Sequence, residues 1–432
     1  MQDHSSHSTR REFLKTSTAA LGGVVAANLS LMPRLAAQTD KTLKVGLIGC
    51  GGRGSGAASQ ALHADKNVEL TAMGDVFENQ LQNSLTTLKK EIEEKVKVEP
   101  ANMFVGLDAY EKVLASDVDV VILATPPGFR PIHLKAAVAA GKHIFCEKPM
   151  ATDAPGLRSV LESVEESKRK KIALVAGFCW RYDTQRREIF RRIHEGQIGD
   201  LRAMYSTYYT GPVKPMPTAD KRQPGETDLH WQLRNWYNFT WLCGDSLVEQ
   251  AVHSVDKIMW AMHDEPPVKC VAVGGRQVPA NGGNIYDHFE VNYEFKNGLR
   301  AFMGSRQQSG CYFQNADYII GSKGQGFIGG RCEITGETNW RYRAETPDKD
   351  MYQIEHDELF ASIRKGEPIN NGDRMCTSTM AALMGRMAAY TGQEITWEQA
   401  MNSEERLVPE KFDWDMKIDV PPIAIPGITK FI

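Results

Sequence analysis

The chain has no pair of cysteines at CxxC spacing and no cysteine–histidine cluster, so nothing in it is spaced to hold a structural zinc ion or a redox dithiol. Its eight cysteines are scattered, and several fall in apolar stretches, where a thiol is a small buried hydrophobe. No metal site is expected. Blocks of one charge are also missing: 51 basic residues face 54 acidic ones, for a net charge of -3. This excludes nucleic acid and an anionic membrane surface as electrostatic partners. Past the N-terminus no apolar run is long enough to cross a bilayer, so the mature form is expected to have no membrane partner. What is present is a chain of 432 residues, 42% of them hydrophobic, enough for two or three domains with full cores.

Residues 1–37 do not read as part of a fold. Ser8-Thr9-Arg10-Arg11-Glu12-Phe13-Leu14-Lys15 resembles the twin-arginine export signal, and the stretch 16–33 behind it is uncharged, weakly apolar and rich in Ala and Gly. Cleavage near Ala36 or Ala37 would leave a folded protein carried to the periplasm by the twin-arginine export machinery. An uncleaved anchor is the competing reading, against which Gly, Ser, Thr and Asn dilute the hydrophobicity a spanning helix needs.

The organising stretch comes next. The apolar residues 45–48 run into Gly49-Cys50-Gly51-Gly52-Arg53-Gly54, a strand entering a GxGxxG turn that opens a helix. Gly49 allows the turn, Gly51 admits a pyrophosphate to the backbone, and Gly54 lets the helix lie on the strand. A second strand over 68–74 ends in Asp75, at the place where a carboxylate accepts the adenosine ribose hydroxyls. Asp75 would repel a 2'-phosphate, favouring NAD over NADP, and Arg53 could soften that preference. A helix is expected from residue 78 to 97. A third strand over 118–124 stops at Thr125-Pro126-Pro127-Gly128, and an Ala-rich helix beginning at His133 leads into a strand over 143–146 that ends in Glu147-Lys148-Pro149.

Through Gly49 to Gly54, Ala124-Thr125-Pro126 and Glu147-Lys148-Pro149, the chain resembles the Gfo/Idh/MocA family of dinucleotide-dependent sugar oxidoreductases. Later matches are residues 244–256, which include Glu249, His253 and Asp256, and the blocks 356–368 and 384–392. The resemblance implies an α/β protein in which a Rossmann domain, a doubly wound parallel sheet, is followed by an α+β domain with an open, mostly antiparallel sheet. The expected division is 42–165 for the dinucleotide domain and 166–432 for the substrate and oligomerisation domain, as a homodimer or tetramer. The late helices 354–365 and 377–390 should pack back on the first domain. Alternation over 289–295 followed by Lys296-Asn297-Gly298 independently reads as a strand entering a hairpin turn.

Oxidising a secondary alcohol needs a base for the hydroxyl proton and a cation near the developing alkoxide. Lys148 and His253 can fill these roles, and the resemblance implies that the lysine touches the nicotinamide ribose and the reacting hydroxyl while the histidine transfers the proton. Glu249 lies four residues before His253 on an expected helix, so the two share a face. A nearby carboxylate raises a histidine's pKa and fixes its tautomer. The family often has aspartate where Glu249 stands. Thr125, Pro126, His133 and Glu147 are expected to shape the cofactor pocket. Arg181 and Tyr182, then His230, Trp231, Arg234 and Trp236, and finally Tyr286, are candidates to bind sugar hydroxyls and cover sugar faces. The Pro-rich loop 211–225 reads as an arm or lid.

Three functions follow from these residues. The first is an exported NAD-dependent oxidoreductase, NADP being the alternative cofactor, that keeps its nicotinamide tightly bound and acts on a sugar or polyol hydroxyl. The second is a redox-neutral NAD-dependent glycoside hydrolase that oxidises, eliminates, hydrates and reduces. The third is a sugar-binding relative without turnover.

Overall fold

The computed structural model describes residues 41–278, 282–344 and 346–432; the expected export signal over 1–37 lies outside the described residues. Six parallel strands build the first sheet: β1 (Leu43–Ile48), β2 (Val68–Asp75), β3 (Met103–Val105), β4 (Val120–Leu123), β5 (His143–Cys146) and β6 (Leu174–Ala176). Their order is β3-β2-β1-β4-β5-β6. All of β4 is buried, because helices cover both faces of a parallel sheet and leave room only for an apolar run. Strand order reverses between β1 and β4, so a crevice opens at their carboxyl ends. The helix Gly52–Ala64 leaves β1 there, and a Cβ at Gly54 would sit 1.9 Å from the carbonyl oxygen of Gly49.

The sheet runs past the expected division at residue 165. Ile144, Phe145 and Cys146 pair in register with Leu174, Val175 and Ala176, and the helix Ala154–Arg169 is the crossover between β5 and β6 rather than a link between domains.

The second sheet has nine strands: β7 (Leu201–Thr210), β8 (Lys269–Gly275), β9 (His288–Glu294), β10 (Arg300–Gln307), β11 (Gln314–Gly321), β12 (Gly324–Ile328), β13 (Cys332–Gly336), β14 (Trp340–Arg341) and β15 (Ile395–Thr396). They lie in the order β14-β13-β12-β11-β7-β10-β9-β8-β15. Every neighbour is antiparallel except β7 and β10. In β9 the buried residues alternate, Phe289, Val291 and Tyr293 facing inward, as a sheet with one covered face demands.

That face is covered by the helices Val252–Ala261 and Gly372–Thr391, the second of which also packs on Ala154–Arg169 and joins the two sheets. The helix Met351–Lys365 returns to the first sheet: Gln353 Nε2 donates to the Gln60 carbonyl at 2.9 Å, and Arg364 Nε meets Asp65 Oδ2 at 2.9 Å. Among the described residues no helix is long and apolar enough to cross a membrane. The eight cysteines are free thiols, all buried but Cys311.

Candidate active site

A cleft of about 430 Å³ lies at the reversal of strand order. Gly49 and Gly51 from the turn after β1, Thr125 and Pro126 from the turn after β4, and Asp75 at the end of β2 line it. Gly49 has φ +94°, and a Cβ there would lie 2.7 Å from Ala124 C and Thr125 N. At Gly51 and Gly52 the opposite holds, since an added Cβ meets nothing within 4 Å. The floor beside the helix N-terminus is therefore open backbone, the surface a pyrophosphate needs. Asp75 is held by the amides of Cys50 at 2.6 Å and Phe77 at 2.8 Å, while burial raises its pKa. His133 lines the cleft stacked on Tyr110 at 4.2 Å, with Nδ1 3.0 Å from Thr125 Oγ1. Burial, assisted by Arg130, lowers its pKa to about 3, so the ring is neutral. Open backbone, a fixed carboxylate and an aromatic wall fit a dinucleotide.

Arg53 is turned away from this cleft. Its Nε donates to Glu147 Oε1, its Nη1 to Gln60 Oε1 at 3.0 Å, and its Nη2 faces Glu355 Oε1 at 3.5 Å. The guanidinium also lies 4.7 Å from the centre of the Tyr352 ring. An arginine between two carboxylates is not available to a 2'-phosphate, so the expected softening of the NAD preference has no basis in this arrangement. Glu147 in turn braces the strand end, its Oε2 accepting from the Lys148 amide at 3.2 Å.

Lys148, Glu249 and His253 form a second, more enclosed cluster that does not line the 430 Å³ cleft. Lys148 Nζ lies 2.9 Å from Glu249 Oε1 and 2.6 Å from the Glu249 carbonyl oxygen. The side chains of Lys148 and Glu249 are only 9% and 8% exposed. A π-helical turn over Leu247–Ala251 precedes the helix Val252–Ala261; such wide turns are rare and recur at functional sites. His253 is walled by Trp180, whose ring centre is 5.2 Å away, and by Phe178 at 6.2 Å. Two buried atoms of the cluster, Glu249 Oε2 and His253 Nδ1, have no hydrogen-bond partner. The expectation that Glu249 raises the histidine's pKa is overturned. Glu249 Oε1 is engaged by Lys148, and burial, with Lys148 and Lys257 nearby, lowers the imidazole well below its ordinary value.

The seven expected sugar contacts lie elsewhere. Arg181 is buried in a two-pronged pair with Asp256, at 2.8 and 2.9 Å, and these charges hold its pKa high against the cost of burial. Tyr182 is buried, its hydroxyl accepting from Asn371 Nδ2 at 2.9 Å. Tyr286 is buried on Tyr390 and donates to the Ala424 carbonyl at 2.8 Å. Trp231 packs into an apolar cluster with Phe129 and Trp241. His230, Arg234 and Trp236 do reach a cleft, but it is the one lined by Asp75 and Gly51. Sequence reasoning passed over Trp180, in the motif that supplied Arg181 and Tyr182, and Tyr208, whose hydroxyl donates to Gln250 Oε1 at 2.8 Å. Neither burial nor residue type alternates strictly along β7, so no local pattern marked Tyr208.

Comparison with known proteins fits this geometry. Residues 43–175 match the family described as oxidoreductase family, NAD-binding Rossmann fold, and residues 187–327 match the GFO/IDH/MocA C-terminal domain. The chain carries the domains of a Gfo/Idh/MocA oxidoreductase. The myo-inositol 2-dehydrogenase of Thermotoga maritima is 24% identical over 82% of this chain and 97% of its own length. An inositol 2-dehydrogenase of Rhizobium meliloti is 24% identical over 66% of this chain and 74% of its own. Among solved structures, levoglucosan dehydrogenase in complex with NADH and levoglucosan superposes with a TM-score of 0.66 at 16% identity, covering 82% of this chain and 99% of the other. Aldose-aldose oxidoreductase from Caulobacter crescentus, complexed with glycerol, gives 0.65 at 19% identity over 82% and 100%. At these identities the structures establish the shared Gfo/Idh/MocA fold, whose first domain is the NAD-binding one.

Proposed function

We propose that this protein is an exported oxidoreductase that transfers a hydride between NAD and a ring hydroxyl carbon of a cyclic polyol or sugar. The observation that carries the reading is the cluster in which a lysine ammonium, a carboxylate with one free oxygen and a neutral imidazole share one enclosed site. Gly51, Asp75 and Thr125 would hold NAD, which supplies the hydride acceptor. The Lys148 ammonium offsets charge developing on the substrate oxygen. The neutral imidazole of His253 is in the state that takes a proton, and Glu249 Oε2 is left to accept from a neighbouring hydroxyl. The inositol dehydrogenases among the relatives favour a cyclic polyol. Lys148→Ala and His253→Ala should each abolish turnover, the second with NAD binding intact; full turnover in both would refute the assignment.

Export rests on Arg10-Arg11. Replacing both with lysine should strand the protein in the cytoplasm, and unchanged fractionation would contradict export. An exported enzyme meets no free NAD pool, which also favours a redox-neutral glycoside cleavage by the same residues as the second reading. Release of the leaving group from an aryl glycoside, with no acceptor added, would select it over net oxidation.

A further inference from the structure

The chain from residue 211 to 238 leaves the second sheet after β7 and forms part of the wall of the dinucleotide cleft through Lys214, His230, Arg234 and Trp236. It is braced internally. Lys214 Nζ donates to the Arg234 carbonyl at 2.6 Å, and Glu226 accepts from His230 Nδ1 at 2.6 Å and Arg234 Nη2 at 2.7 Å. It meets the first domain at Phe77, in the loop following Asp75, whose ring lies edge-on to His230 at 4.9 Å, and at Phe129, which shares an apolar cluster with Trp231 and Leu233. Because Gly51 marks the pyrophosphate end of the cleft and Asp75 the ribose, this arm stands at the adenosine end.

A second layer lies over the arm. The C-terminal tail is anchored by Arg386 Nη2 to Glu405 Oε2 at 2.7 Å and by the Leu407 amide to Asp153 Oδ2 at 2.8 Å. It then crosses the arm. Phe412 sits 4.9 Å from Phe129 and 6.0 Å from Trp241, Trp414 is 6.0 Å from His230, and Gln232 Nε2 donates to the Ile418 carbonyl at 2.8 Å. Phe129 itself lines the cleft. Cleft wall, arm and tail thus share one apolar cluster.

We propose that arm and tail form a clasp closed over the adenosine half of NAD, making the dinucleotide a resident group rather than an exchanging one. The inference rests on the reading that the cleft binds NAD. To release the nucleotide the arm must lift, which parts the Phe77–His230 contact and strips Phe412 and Trp414 from their neighbours. A cost of that kind is expressed in the dissociation rate.

The test uses the full-length protein, loaded with isotope-labelled NAD and chased with unlabelled NAD, the retained nucleotide being weighed by mass spectrometry. Wild type should hold its label through gel filtration. The double variant Phe412→Ala/Trp414→Ala should lose it about tenfold faster or more. Should that variant fail to fold, His230→Ala decides, since this side chain is 41% exposed and tolerates truncation; it too should accelerate loss. Release from folded variants at the wild-type rate, or exchange by wild type within the mixing time, overturns the clasp alone. Absence of any NAD binding by wild type overturns the clasp together with the functional reading beneath it.

Discussion

Lys148 and Glu249 are bound to each other twice, through the carboxylate at 2.9 Å and through the backbone carbonyl at 2.6 Å. Lys148 stands two residues past the end of the fifth strand of the first sheet and Glu249 lies in the π-helical turn, so this contact ties the two domains together.

Removing one partner leaves the other charge buried without its counterion. Lys148→Met or Glu249→Gln should cost about 3–5 kcal/mol of stability and lower kcat by roughly two to four orders of magnitude. Denaturant unfolding and steady-state kinetics check the two effects separately. A variant with normal kcat would show that the pair is structural only.

The glycines of the turn make opposed predictions. A Cβ at Gly51 meets nothing within 4 Å, whereas one at Gly54 would stand 1.9 Å from the Gly49 oxygen. Gly51→Ala should leave the melting temperature unchanged and weaken NAD binding about tenfold or more, because the methyl enters space the phosphates need. Gly54→Ala should lose about 1–3 kcal/mol or fail to fold. Calorimetry of unfolding and of binding distinguishes the two outcomes.

Cofactor choice should follow Asp75 and ignore Arg53. Asp75→Ser removes a charged acceptor, which should cost NAD affinity about 1.5–3 kcal/mol and narrow the margin over NADP. Arg53→Ala should leave the NAD to NADP ratio of affinities as it was, because this side chain is held by Glu147 and Glu355. Titration with both nucleotides reads this directly.

Asp245 links the π-helical turn to the last long helix. It has φ +90°, is fully buried, and accepts from the Tyr286 amide at 2.8 Å and from the Tyr390 hydroxyl. Burial lifts its carboxyl to about 6 from an ordinary 3.8. Between about pH 4 and pH 6 the folded chain therefore keeps a proton that the unfolded chain has released. Its contribution to stability falls as pH rises through that window, by up to about 3 kcal/mol, and is flat above it. Asp245→Asn should flatten this part of the stability–pH curve whatever its absolute stability. An unchanged slope would assign the titration elsewhere.

The residues whose placement was legible in the sequence were those set by their immediate neighbours. Gly49, Gly51 and Gly54 sit on a strand-to-helix turn, Asp75 ends the next strand, and Lys148 lies two residues past the fifth. The parallel sheet was legible through its buried apolar runs; in the second sheet alternation marked the strand 289–295, and the family resemblance implied the rest. Arg181 was not legible, because the carboxylate that neutralises it, Asp256, is 75 residues away and a buried ion pair has the same composition as a sugar-binding site. The run from His230 to Trp236 reads in sequence as a set of sugar contacts. Its true neighbours are the loop after Asp75 and a tail without periodicity, Phe412 and Trp414, which no local pattern could attach to it. The direction of the His253 shift was not legible either: a carboxylate four residues away on a helix predicts a raised pKa, whereas burial beside Lys148 and Lys257 lowers it.

The most direct test of the central claim is to incubate the purified protein with a cyclic polyol deuterated at its carbinol carbons, denature it, and weigh the nucleotide released. Transfer at this site predicts reduced nicotinamide carrying one deuterium in wild type and oxidised, unlabelled NAD in His253→Ala. Unlabelled NAD from wild type across a panel of polyols and sugars would contradict hydride transfer as the function of this cleft.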